Sequence, residues 1–142
     1  MELNSKYHGI INYNEEDIID FKNGILGFED LKKYIIFSIK DNENFSVIHS
    51  IEDEEIGIIL ISPFFVKKDY EIKLDKATID ELEIKDYKEV MIYNTVTLNK
   101  DVNKITTNLK APIIVNICSK KGKQVIIDNE DYKIKEPIFK EN

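Results

Sequence analysis

Across residues 87–98 apolar and polar side chains alternate, with Val90, Ile92, Asn94, Val96 and Leu98 on one face of an extended strand and Met91, Tyr93, Thr95 and Thr97 on the other. Both faces carry bulk, which predicts a strand packed on both sides. Residues 106–118 repeat the lesson in stronger form. A polar turn at Thr106, Thr107 and Asn108 runs through Pro112 into Ile113, Ile114 and Val115. Proline is tolerated at the first residue of a strand, so this reads as a loop feeding a buried strand. Gln124 to Asp128 then reads as the returning arm of a hairpin closed by the glycine-bearing loop Ser119-Lys120-Lys121-Gly122-Lys123.

Earlier in the chain, residues 7–13 and 18–21 predict two strands separated by a charged turn at 14–17. Gly24 and Gly27 bracket Ile25 and Leu26, where backbone angles barred to β-branched residues are expected, with Phe28 plugging the core at the bend. Residues 29–33 carry acids first and lysines last, which suits one helical turn. Residues 34–39 and 45–51 predict strands joined by a polar turn, and the wholly apolar run 56–61 predicts a strand buried on both faces or lying at the closure of a barrel. Pro63 ends it, and residues 64–66 and 69–74 are expected to be short and extended. Thr78 and Glu81 fit a capping box opening a helix whose Ile79 and Leu82 face the core. Residues 132–135 predict a last strand before a charged tail, loose after about residue 136. The whole predicts a mostly β chain, a small antiparallel β-barrel or sandwich with one or two short helices, in a single domain spanning residues 1–142.

Charge narrows the function classes. Twenty cationic side chains, all lysine, stand against 27 acids, giving a net charge of −7. Nucleic-acid binding usually needs a basic face with guanidinium forks, so a basic protein partner is the better expectation. Hydrophobic residues at 42% are sufficient for a core despite 33% charged residues. The lone Cys118 lies beside an apolar run and is expected to be a small buried hydrophobe. No apolar run reaches the ~20 residues that span a bilayer and no leader pattern opens the chain, so a cytoplasmic location without membrane contact is expected. His8 and His49 are isolated in sequence, no metal-ligand spacing is present, and neither a phosphate loop nor a nucleophile elbow occurs. No catalytic residue, metal or cofactor is expected.

Several spaced motifs carry a family resemblance. They are Thr106-x-Asn108-Leu109-x-Ala111-Pro112-Ile113-x-x-Asn116, the lysine and glycine turn with Gln124-Val125-Ile126-Ile127, Phe21-x-x-Gly24-Ile25-x-Gly27-Phe28, Ser62-Pro63-Phe64, Asp69-Tyr70-Glu71 and Tyr132. In this order they resemble the FliW family of flagellar assembly factors over almost the full length. The chain departs from the pattern at Glu54 and Glu55, where many relatives carry a proline, and at Ile48-His49-Ser50, where Leu-Gln-Ser is more usual. The resemblance implies a non-enzymatic binder of two proteins, flagellin and the RNA-binding translational regulator CsrA. It holds CsrA off flagellin messenger RNA, non-competitively with RNA, until accumulating flagellin displaces it.

Contact residues are expected at Asn108, Leu109 and Pro112 of the anchor loop and at Phe64 and Phe65, as exposed aromatics. The acidic clusters Glu52-Asp53-Glu54-Glu55 and Asp80-Glu81 are expected to steer a basic partner. The protein is expected to be a monomer. The alternative is a small-ligand-binding or flavin-type β-barrel, which short antiparallel strands also build.

Overall fold

The computed structural model describes residues 1–139. Its strands are β1 (Glu2–Ser5), β2 (Gly9–Asn12), β3 (Ile19–Phe21), β4 (Lys33–Ile39), β5 (Asn42–Ser50) and β6 (Gly57–Ile61). Two short helices follow, α1 (Pro63–Val66) and α2 (Lys76–Glu81), and then β7 (Val90–Thr97), β8 (Thr106–Thr107), β9 (Ile113–Asn116), β10 (Lys121–Gln124) and β11 (Glu136–Pro137). Seven strands close into a barrel in the order β7-β6-β5-β4-β3-β10-β9, with β9 returning to β7. Neighbours are antiparallel except for the short parallel joint between β3 and β10. The fold is mostly β as expected, and of the barrel and the sandwich that the pattern allows it is the barrel.

The interior face collects Phe21, Tyr34, Ile48, Leu60, Ile113 and Val115, with Ile36, Ile58 and Tyr93 packed against them. Phe21 and Tyr34 meet edge to face at 5.3 Å. The opposite faces of the same strands are covered by the outer segments. Ile61 and Val96 pack with Phe45, Val66, Ile105 and Ile138, while Tyr70, Leu109 and Tyr132 form a third cluster with Ile72, Ile92 and Ile127. This double coverage explains why β9 is buried at every position and why β7 carries bulk on both faces.

The hairpin β1–β2 extends the predicted first strand into a pair, and β1 itself has no apolar alternation to announce it. At the glycine bend Gly24 (φ 66°) and Gly27 (φ 90°) hold left-handed angles as expected. Ile25, not Phe28, is the buried plug there, and Phe28 is half-buried. Residues 29–33 form a turn and the start of β4, not a helical turn. Lys32 O accepts from Phe21 N–H, and the Glu52 carboxylate accepts the N–H groups of Lys32 and Lys33 at 2.7 and 2.9 Å, which commits that backbone to the sheet. Residues 63–66 are helical, not extended, because Pro63 sits at the first helical position and Lys67 N–H returns to Pro63 O. Residues 69–74 form no strand.

The N-cap of α2 lies three residues before the expected one. Asp75 Oδ1 accepts from Thr78 N–H at 2.8 Å, so Asp75 is the N-cap and Thr78 is buried inside the first turn. That hydrogen bonding holds the Asp75 carboxyl below its ordinary pKa. Residues 132–135 form no strand either. The last strand is β11, paired with β8, and beyond it Ile138 is buried, so the tail predicted to be loose is fixed to that point. Residues 140–142 lie outside the described residues. Cys118 is exposed, not buried: the apolar run ends with Asn116, whose side chain turns the chain outward by accepting from Cys118 and Ser119 N–H.

Gly122 lies in β10, not in the turn, which is made by residues 117–120 with Lys120 at φ 60°. A Cβ at Gly122 would stand 2.4 Å from Phe21 Cζ, so the glycine lets β10 approach the buried ring and join β3. Gly122→Ala is therefore expected to destabilise by about 1–3 kcal/mol in denaturant unfolding, as overpacking does. Adding Phe21→Leu should recover part of that loss. An unchanged midpoint in the single variant would show that the joint does not depend on this contact.

Candidate functional site

The anchor loop is a structural corner. Leu109 and Pro112, expected as contact residues, are buried in the free chain. Leu109 packs with Tyr70 and Tyr132, and its carbonyl accepts from Tyr70 Oη at 2.7 Å. Asn108 is half-buried. Its Oδ1 accepts from Lys110 N–H at 3.0 Å, its carbonyl accepts from Asn94 Nδ2 at 2.6 Å, and its N–H donates to Thr95 O. Burial pushes the Tyr70 phenol up to about 12, so it remains a donor across the physiological range. Tyr132 Oη donates to Glu71 O and accepts from Glu71 N–H, which pins segment 69–74 at its centre.

Phe64 and Phe65 are brought to the surface by α1, 47% and 50% exposed. Phe64 sets its ring edge against Tyr70 at 6.2 Å and forms one end of an open groove of about 640 Å³, lined by Ile72, Leu74, Ile84, Tyr87 and Met91. Tyr87 and Met91 are the residues sequence reasoning missed. Tyr87 precedes β7 in a one-turn 3-10 helix and is 80% exposed, whereas Met91 shares an alternation parity with Tyr93, which packs against the barrel core. The available signal was the position of Met91 at the strand start.

The acidic clusters are unequal. The Glu52 carboxylate is committed to two backbone N–H groups, Asp53 Oδ1 caps Glu55 N–H, and Glu55 pairs with Lys6 at 3.3 Å. Glu81 pairs with Lys123 at 2.8 Å. Glu54 and Asp80 are the exposed members whose side chains carry no such bond among the described residues. The two clusters belong to different segments, the β5–β6 turn and α2.

The histidines, isolated in sequence, are neighbours in space. His49 is fully buried, with Nδ1 2.7 Å from Ser50 O and Nε2 2.9 Å from Ser5 Oγ. A carbonyl only accepts, so Nδ1 carries the proton and Nε2 accepts from the serine in the neutral ring. His8 lies edge-on to both His49 and Phe37. The pair docks the β1–β2 hairpin on the barrel. Among the described residues no group of three or more metal-ligating side chains converges, and no helix is long and apolar enough to cross a membrane.

The sequence model described as FliW protein matches residues 2–138. The chain belongs to the FliW family. It is 57% identical to the flagellar assembly factor FliW of Clostridium botulinum (strain Okra / Type B1), over 99% of each chain. It is 55% identical to that of Clostridium tetani (strain Massachusetts / E88), over 99% of this chain and 97% of the relative. A crystal structure of the flagellar assembly factor FliW superposes with a TM-score of 0.91 at 35% identity, over 99% of each chain. This FliW-family chain is thus a flagellar assembly factor, with a role that calls for protein partners.

Burial, and then the nearby His49, hold His8 below its ordinary pKa. The unfolded chain therefore binds more protons as the pH falls, and stability declines below about 6.5 and levels off beneath the folded value. The melting temperature should fall between about pH 7.5 and pH 5, and His8→Asn should flatten part of that slope. Equal slopes in the two proteins would remove His8 as the source.

Proposed function

We propose that this FliW-family chain binds flagellin and the translational regulator CsrA in the cytoplasm, as a monomer and without direct contact to nucleic acid. It holds CsrA from flagellin messenger RNA until flagellin accumulates and displaces it. The observation that carries this reading is the family match over residues 2–138, together with curated relatives that are named flagellar assembly factors. The reaction class is exchange of partners, with no covalent step. For exchange to work the two proteins must compete or be negatively coupled, and the switching point follows from their affinities and concentrations.

The geometry supports a binder over a ligand-filled barrel. Phe21, Tyr34, Ile48, Leu60 and Ile113 occupy the barrel interior, so the open surfaces are left to outer segments. Phe64 and Phe65 are the proposed contact aromatics, and a net charge of −7 favours a basic partner. CsrA binds RNA and so must present positive charge. Exposed Glu54 and Asp80 are proposed to steer it, acting on the association rate more than on the final affinity.

Purified chain should retain flagellin and CsrA separately, and each should displace the other. Failure to bind either at micromolar concentration overturns the reading. Charge reversal at both Glu54 and Asp80 should slow CsrA association and flatten its salt dependence, read by stopped flow, while the melting temperature stays put. An unchanged rate and salt slope would end the steering role. Phe64→Ser with Phe65→Ser should weaken at least one partner by about tenfold or more, the loss of one buried aromatic contact. Full affinity for both partners would place the contacts elsewhere.

A further inference from the structure

A second surface, which shares Ile72 and Leu74 with the aromatic groove, carries a more specific assignment. The β9–β10 ladder does not stop at Gln124. Val125 N–H donates to Pro112 O at 3.0 Å and Ile127 N–H to Lys110 O at 2.7 Å, in the register that pairs Gln124 with Ile113. The ladder is one-sided because Pro112 has no N–H to return and Lys110 gives its own to Asn108 Oδ1. Along such a strand alternate N–H groups point to opposite edges, so those of Ile126 and Asp128 face away from residues 110–112. On that edge β3 pairs only with Lys121 and Gly122. The N–H groups of Ile126 and Asp128 have no partner among the described residues.

Ile126 and Asp128 line a cleft of about 740 Å³ whose other wall is residues 69–75. There the backbone of Ile72, Lys73 and Leu74 is also without a partner among the described residues. Ile126 is 75% exposed and offers apolar surface at the edge. Glu71, Asp75 and Asp128 put carboxylates around the cleft, with Asp69 paired to Lys67 at 3.9 Å, against Lys73 and Lys123. Lys123 is already neutralised by Glu81 at 2.8 Å. Unpaired main-chain groups beside surplus negative charge suit an added strand with cationic side chains. Two copies of this chain joined edge to edge would set the same carboxylates against themselves.

We propose that this cleft takes an extended segment of another protein, one alternating apolar residues with lysine or arginine, as a strand added along residues 124–128. The assignment does not depend on flagellin or CsrA, because a synthetic probe tests it. The full chain, labelled with nitrogen-15, is titrated with a blocked octapeptide alternating valine and lysine, and amide exchange is followed. The amides of Ile126 and Asp128 should become protected by at least about tenfold, a single main-chain hydrogen bond's worth. Replacing the peptide's lysines by glutamates, methylating its alternate amide nitrogens, or making Asp128→Lys in the protein should each weaken binding by about tenfold or more. The variant's melting temperature serves as the folding control. Absence of binding at millimolar peptide, equal affinity for the methylated peptide, or protection only at other residues overturns the proposal. So does a chain that is already dimeric with those amides protected, which would make the occupant a second copy.

Discussion

Closure of the barrel rests on β7, which must satisfy two neighbours along one edge and a third along the other. Leu60 and Ile61 of β6 pair with Thr95 and Asn94. On the opposite edge Val90 to Tyr93 pair with β9, and Val96 and Thr97 then pass to β8. The handover from β9 to β8 on that edge is where the intervening loop, residues 108–112, leaves the sheet. Asn94 sits at that branch and fills it, its amide bonding Asn108 O while its N–H side belongs to the ladder. A buried polar side chain at a branch point satisfies a carbonyl that no strand can reach.

The same device holds the outer layer. Asn116 at the end of β9 donates to Leu82 O and Glu83 O, the carbonyls that follow α2, and Ser119 Oγ joins at Leu82 O. Tyr132 stands in for a neighbouring strand at Glu71, and Glu52 does so for Lys32 and Lys33. Tyr34 shows the contrary case. Its ring fills the core, yet its buried hydroxyl has no partner among the described residues, and burial pushes its pKa up to about 12. Packing of the ring therefore outweighs a desolvation cost of about 1–3 kcal/mol.

This division explains what was legible in the sequence. Strands β4 to β7 and β9 were readable because burial on one or both faces dictates apolar spacing. Features decided by one particular side-chain bond or contact were not. The spacing of Thr78 and Glu81 looks like a cap, but Asp75 competes for the same amide and its charge favours it at a helix start. Gly122 reads as a turn glycine because sequence alone does not reveal that Phe21 approaches from a hundred residues away. Cys118 follows an apolar run whose outward turn is decided by the Asn116 side chain. For the candidate site, Phe64 and Phe65 are exposed as read, whereas Leu109 and Pro112 carry the same apolar and proline signals and are buried. For Leu109 the distinction lies in what packs against it, namely Tyr70 and Tyr132, both far off in sequence.

A closed barrel spends the hydrogen-bonding edges of its ring strands on one another, so it has little to offer a partner from its own wall. Segments hung outside the ring escape that constraint, at the cost of backbone and apolar groups that the chain does not fully cover itself. Residues 63–66, 69–75 and 125–128 are of this kind. They hold the exposed Phe64, Phe65 and Ile126 and amides that have no partner among the described residues. The barrel can then stay rigid while its outer segments differ in charge and shape, which is the arrangement a protein needs if two partners are to meet different surfaces of one small fold. Negative coupling between those partners would follow from overlap on segment 69–75, because Ile72 and Leu74 line the aromatic groove and the acidic cleft alike.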